Sequence, residues 1–293
     1  MDPVRSIVVP TDFRPLSRAA ARRAATLAAA TGASVHLVHV LRFPLIATPY
    51  EVTVPGAVWE AVRSAAQDEM QTARKTIEEA GVSQVTGEMD QSPDPVDLIS
   101  KAVREHEADL VVMGTHGRVG LRHTILGSVA ERTLRRIECP VWVVKEDPDE
   151  ADAPIERILL ATDFSIHADG AAEAARDLAG RLGASIDVVH AIDFPADYLF
   201  PLETKLEGKI RAAAATRLEA LQGSLQEAGV PVEVHLRRGR ASEVVSEAAE
   251  SLDSQLIVMG RRGNSGLTSV LLGSVAERTL RAAPCSVLTV HAA

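Results

Sequence analysis

The stretch GTHGRVGLRHTILGS, from Gly114 to Ser128, returns 146 residues later as GRRGNSGLTSVLLGS, from Gly260 to Ser274. The likeness runs past both ends. LVVMGTHGRVGLRHTILGSVAERTLRRIECPVWVV from Leu110 and LIVMGRRGNSGLTSVLLGSVAERTLRAAPCSVLTV from Leu256 agree at 20 of 35 positions, including all of GSVAERTLR. Near the start, SIVVPTDFRPLSRAA from Ser6 matches RILLATDFSIHADGA from Arg157, which pairs Asp12 with Asp163. A duplication of this length restricts the chain to two copies of one fold. Two related domains explain this better than a solenoid, whose period would be roughly 20–50 residues. Between the copies lies KEDPDEADAP, Lys145 to Pro154, acidic, with two prolines and no apolar period. That composition is a connector. It sets the boundary near Glu150 and the domains at 1–150 and 151–293.

Each copy alternates short aliphatic runs with helical periodicity. SIVVPTD and RILLATD read as buried strands ending in a polar turn. In the helices that follow, Ala20, Ala24 and Leu27 share one face, as do Ala171, Ala175 and Leu178, and Gly32 and Gly183 mark the ends. SVHLVHV and SIDVVHA are second strands. Long helices follow, from about Trp59 to Ala80 and from about Glu203 to Ala228. Third strands (QVTGEM, PVEVHLR), third helices (DPVDLISKAVREH, ASEVVSEAAESL) and fourth strands (DLVVMG, QLIVMG) complete the alternation up to the glycine-rich loop. SVAERTLR is then a helix, and VWVVK or SVLTVH a fifth strand. Strand and helix in alternation imply an open parallel α/β sheet in each half, with helices on both faces. Ligands in such sheets bind beyond the carboxyl ends of the strands. Asp12 and Gly114 both stand at such ends, so they face one cleft if strands one and four are neighbours.

Composition narrows the function. Net charge is −9 and no long Lys/Arg run occurs, which disfavours nucleic acid as a partner. No apolar run approaches the ~18 residues of a membrane span, and the start lacks the features of a signal peptide. The expectation is a soluble cytoplasmic protein. Aromatic residues make up 3% against 46% hydrophobic overall, so Ala, Val, Leu and Ile must build the core. The two cysteines, Cys139 and Cys285, occupy matching places before the last strands and read as small buried residues.

The glycine loop is the chemically informative feature. It makes a Gly-x-x-Gly turn, runs nine residues and enters a helix through Gly-Ser. A helix start presents unpaired N–H groups and the positive end of its dipole, which suits phosphate. The same residues permit a second reading, in which Ser128 with Glu131 and Ser274 with Glu277 form capping boxes. There is no Walker A string, no GxGxxG, no HExxH and no nucleophile elbow. His39 and His190 match across the copies and read as packed, hydrogen-bonded side chains. His116 and His123 read as exposed, and Arg132, Arg135, Arg278 and Arg281 as surface ion pairs.

On these residues each half resembles a universal stress protein domain, and the chain resembles the tandem form of that family. The pattern G-x2-G-x9-G-[ST] of its nucleotide-binding branch is met by Gly114, Gly117, Gly127 and Ser128, and again by Gly260, Gly263, Gly273 and Ser274. Pro10-Thr11-Asp12-Phe13 is a further typical element. The resemblance implies a five-stranded parallel sheet of order 3-2-1-4-5, related to the adenine nucleotide alpha hydrolases, with ATP (or AMP or ADP) in the cleft. Asp12 and Asp163 would lie beside the adenosine, backbone at Val40 and Ala191 would border the adenine, and the glycine loops with Ser128 or Ser274 would hold the phosphates. It also implies pairing through last strands, Val141 to Val144 with Val287 to Val290, so that the chain forms its own pseudo-dimer, with further homodimer formation open. Copy two has Ala161 for Pro10, and Ala130 and Ala276 stand where binding members often carry a hydroxyl. Arg261 and Arg262 add charge to the second loop, where copy one has Thr115 and His116. Mg²⁺ could accompany the phosphates through Asp12 or Asp163. Three readings stay open: a nucleotide-binding stress regulator acting on an unknown protein partner, a slow Mg-dependent ATPase, and a nucleotide-free scaffold.

Overall fold

The computed structural model describes residues 4–41, 56–115, 126–146, 149–193, 203–263 and 272–291. The first half runs β1 (Ser6–Pro10), α1 (Pro15–Thr31), β2 (Ser34–Leu41), α2 (Gly56–Glu79), β3 (Val85–Gln91), α3 (Pro95–Glu105), β4 (Leu110–Gly114), α4 (Ser128–Arg136) and β5 (Val141–Val144). The second repeats it as β6 (Arg157–Ala161), α5 (Ile166–Leu182), β7 (Ser185–Ile192), α6 (Glu203–Gln226), β8 (Val232–Arg238), α7 (Ala241–Ser251), β9 (Leu256–Gly260), α8 (Ser274–Ala282) and β10 (Ser286–Val290). Pro15 fits the start of α1, where a missing N–H costs nothing. Gly32 and Gly183 close α1 and α5 in the left-handed conformation, at φ 74° and 70°.

All strands within a half are parallel and follow the order 3-2-1-4-5. The two sheets then join. β5 and β10 pair antiparallel, Val141 with Thr289, Trp142 with Leu288 and Val143 with Val287, giving one ten-stranded sheet. The pairing of last strands that the resemblance implied is therefore present inside a single chain. Because that one pair is antiparallel, the carboxyl ends of the two halves open on opposite edges of the sheet.

Strand alternation sorts the side chains into two layers. Ile7, Val9, Leu110, Val112, Trp142 and Leu288 face one way, onto α1 and α5. Val8, Val111, Met113, Val141, Val143 and Val287 face the other, onto α3, α4, α7 and α8. Both layers cross the seam, so the halves share their cores. Small Ala20, Ala24, Ala171 and Ala175 are fully buried and let α1 and α5 lie close to the sheet. The connector is docked rather than free. Arg23, itself buried, bonds Glu146 Oε1 (3.2 Å) and the carbonyls of Ala153 (2.5 Å) and Glu150 (3.3 Å), while Ala151 and Ile155 are buried. Composition alone hid this, because the anchoring arginine sits in another element.

Candidate functional site

The turn after the first strand shares one hydrogen-bonded frame in both halves. Thr11 Oγ1 accepts the N–H of Phe13 (3.0 Å), and Thr162 Oγ1 that of Phe164 (3.0 Å). Both phenylalanines are left-handed, at φ 61° and 59°, a conformation that L side chains adopt only when the surroundings impose it. A histidine packs against each turn. His39 Nδ1 donates to Thr11 O and His190 Nδ1 to Thr162 O, each at 2.8 Å, and their rings lie 4.4 and 4.5 Å from the rings of Phe13 and Phe164. The packed, hydrogen-bonded reading of His39 and His190 holds. The turn aims the intervening carboxylate outward. Asp12 Oδ1 accepts from Ser17 Oγ (2.8 Å) and the Arg14 amide (3.1 Å), and Asp163 Oδ1 from the Ser165 amide (3.0 Å).

β1 neighbours β4 and β6 neighbours β9, so each turn does share an edge with a glycine loop. A Cβ on Gly114 would lie 2.5 Å from the carbonyl oxygen of Leu16, and one on Gly260 3.0 Å from the backbone carbon of His167. The first glycine of each loop thus lets the strand end abut the first turn of α1 or α5. Gly263 differs: its Cβ would fall 2.4 Å from Asp163 Oδ2, so the bare backbone nests against the carboxylate. The Gly273 amide donates to Arg261 O (2.9 Å) and ties the two ends of the second loop together. Gly117, His116 and His123 lie outside the described residues. Val40 and Ala191 stand at the carboxyl ends of β2 and β7, half-buried, beside the ends of β1 and β6.

Two expectations are corrected. Ser128 and Ser274 are not N-caps. Gly127 and Gly273 hold the cap positions in extended conformation with no side-chain bond, and the serines are the first helical residues, both exposed. Glu131 and Glu277 close no capping box either. They meet across the seam, where Arg135 bonds Glu131 (3.3 Å) and Glu277 (2.9 Å) and Arg281 bonds Glu131 (2.8 Å) and Glu277 (3.3 Å). The first-turn amides of α4 and α8 keep no intrahelical acceptor. The second correction concerns Arg261. Its side chain is 2% exposed and turns from its own loop into the first half, where it donates to Ile137 O and, at 2.8 Å, to Cys139 O. Burial lowers its pKa to about 10. The competing carbonyls at the end of α4 won, and no local pattern in the sequence signals a contact 124 residues away.

His167, at the start of α5, was not singled out by its sequence context. Its pKa is lowered, first by burial and then by His291 and Arg262, with Asp163 acting oppositely. Cys285 is buried as expected, whereas Cys139 is only half-buried; desolvation pushes both thiols up to about 12.

Comparison with known proteins accords with this architecture. The model of the universal stress protein family matches residues 3–145 and again 154–291. A universal stress protein of Mycolicibacterium smegmatis is 30% identical over 288 residues, 97% of this chain and 96% of that one. A single-domain relative of Thermus aquaticus is 40% identical over 137 residues, covering 46% of this chain and 97% of its own. The crystal structure of a universal stress protein from Archaeoglobus fulgidus superposes with a TM-score of 0.71 at 22% identity, over 98% of this chain and 96% of that one, which speaks for the fold. Among the described residues no helix is long and apolar enough to cross a membrane. This chain belongs to the universal stress protein family, as a tandem pair of its domains.

Proposed function

We propose that each half binds an adenine nucleotide, ATP foremost, in the cleft between the turn after its first strand and its glycine loop. The observation that carries the reading is the approach of Gly263 to the Asp163 carboxylate, on the loop that leads from β9 to α8, a helix whose first-turn amides lack intrahelical acceptors. A carboxylate suits ribose hydroxyls, which donate to it, and helix-start amides suit phosphate. In this reading Asp12 and Asp163 take the ribose, backbone at Val40 and Ala191 borders the base, and Gly114, Gly117, Gly127, Ser128 and Gly260, Gly263, Gly273, Ser274 line the phosphate path. Arg261 has no part in it. Mg²⁺ fits the donor set, since that ion commonly takes one or two carboxylates and completes its shell with phosphate oxygens and water. Asp12 or Asp163 would hold it, and its charge would offset that of the phosphates.

The protein then acts by occupancy: nucleotide alters the loops at two opposite edges of one sheet, and an as yet unidentified protein partner in the cytoplasm reads that surface. Calorimetric titration with ATP tests the binding. Saturable heat that Asp12→Ala and Asp163→Ala each reduce by about half supports two sites. Absence of heat at millimolar ATP overturns the reading.

A further inference from the structure

On the far end of the second half from its glycine loop, β7 and β8 bring three metal-ligating side chains together. Asp187 stands opposite Glu233 in the strand register, and His235 follows two residues on, on the same face of β8. One carboxylate oxygen of each acid and one ring nitrogen of His235 all lie within 4.8 Å of one another. His235 Nε2 is 2.7 Å from Asp187 Oδ1. Asp187 is 4% exposed, His235 half-buried and Glu233 exposed, so the group is anchored inside and open on one side. It is separate from the nucleotide cleft: Asp187 lies four residues before Ala191 on the same strand, about 13 Å at ~3.3 Å per residue.

We propose that Asp187, Glu233 and His235 form a binding site for one divalent transition-metal ion of the zinc type. One imidazole and two carboxylates are a donor set such ions accept, and three protein ligands leave a position for water. Magnesium and calcium are disfavoured, because they take oxygen donors in larger number. On binding, the contact between His235 Nε2 and Asp187 Oδ1 gives way to a bond from each atom to the ion, with the imidazole proton carried on Nδ1. Arg157 is the neighbouring cation. Its Nε is 3.7 Å from Asp187 Oδ2 and its Nη1 is fixed on Leu252 O at 3.1 Å. It offsets one carboxylate, which lowers the repulsion within the empty cluster. The site spans the edge strand β8 and the strand beside it, so an ion there pins the edge of the sheet.

The duplication supplies an internal control. The first half carries His36, Thr86 and Glu88 at the corresponding strand positions. There His36 instead bonds Thr86 Oγ1 (2.7 Å) and Ser34 Oγ (3.0 Å) and stacks on His106. The expected stoichiometry is therefore one ion per chain. The test is equilibrium dialysis of the chelator-treated full chain against zinc sulfate, without nucleotide, read by elemental analysis and thermal melting. One retained equivalent and a raised Tm are expected. His235→Gln is the deciding variant, because its side chain is half-buried on an edge strand and its loss leaves the core intact. It should weaken zinc binding at least about tenfold, as should Asp187→Asn, while His36→Gln leaves the equivalent in place. No retained zinc in the parent chain, or an equivalent that survives His235→Gln, overturns the proposal. Because nucleotide is absent throughout, failure here leaves the ATP reading untouched.

Discussion

A methyl group on Gly114 would sit 2.5 Å from Leu16 O and 2.9 Å from the Ser17 amide nitrogen, both backbone atoms that cannot swing aside. Gly114→Ala should therefore cost about 1–3 kcal/mol, the usual range for overpacking, measured as a lowered urea midpoint. Among the described residues, Gly263→Ala meets only the Asp163 carboxylate, a movable side chain. Its expected signature is the reverse: a near-normal urea midpoint with weaker ATP heat, since the displaced carboxylate leaves the cleft. Equal losses of stability in the two variants would show that the glycines share one role. At the same scale, His36 gives a pH dependence. Burial, and then the charge of His106, lowers its pKa from 6.5 to about 4. The folded state thus resists a proton that the unfolded chain accepts. The contribution is complete above about pH 6.5 and is lost as pH falls toward 4. Melting curves of the parent chain should fall across that window, and His36→Gln should fall less.

The elements themselves were legible because their signals are local. Aliphatic strands, alanine-lined helices and the glycines closing α1 and α5 state their structure within a few residues, and the duplication states each twice. Of the candidate site, what was legible is that the turn after the first strand and the start of the glycine loop share an edge, since β1 beside β4 follows from the family order. What was illegible depends on distant partners. Ser128 and Glu131 satisfy the capping-box pattern, yet Glu131 goes to Arg281, which lies in the other half. Asp187 and His235 lie on different strands, and only the β7–β8 register makes them neighbours. The left-handed Phe13 and Phe164 belong to the same class, because a histidine from the next strand packs against each turn. His39→Ala removes both the stacked ring and the donor to Thr11 O. The turn at Phe13 should then open, and hydrogen exchange at the amides of residues 12–14 should speed up several-fold, while the equivalent amides of the second half, still held by His190, stay protected. Unchanged exchange in the first half would show that the phenylalanine conformation is held by something else.

At the scale of the molecule, the seam decides whether two domains behave as one. β5 and β10 share a ladder, and Trp142 is buried in the layer that crosses it. Two cations, Arg261 buried and Lys145 half-buried, clamp the seam reciprocally. Arg261 of the second half donates to Ile137 O, at the C-terminal cap of α4, and Lys145 of the first donates to Ala283 O (2.8 Å), at the C-terminal cap of α8. Helix C-termini carry partial negative charge, so a cation there is well placed. Burial nevertheless opposes both charges and lowers the Lys145 pKa to about 8. The Arg135–Glu131–Arg281–Glu277 ring looks more prominent, but its members are each 28–40% exposed. Exposed pairs contribute roughly 0–1 kcal/mol, whereas removing a donor from a buried carbonyl costs about 1–3 kcal/mol. Arg261 serves two carbonyls and Lys145 one. The expected order of destabilisation in urea is therefore Arg261→Met, then Lys145→Met, then the double variant Glu131→Gln with Glu277→Gln. The parent should unfold in one transition, because both cores cross the seam. Arg261→Met should broaden that transition or divide it, as the halves come apart before either unfolds. A larger loss from the ring variant than from Arg261→Met would place the coupling at the surface instead of in the two clamps.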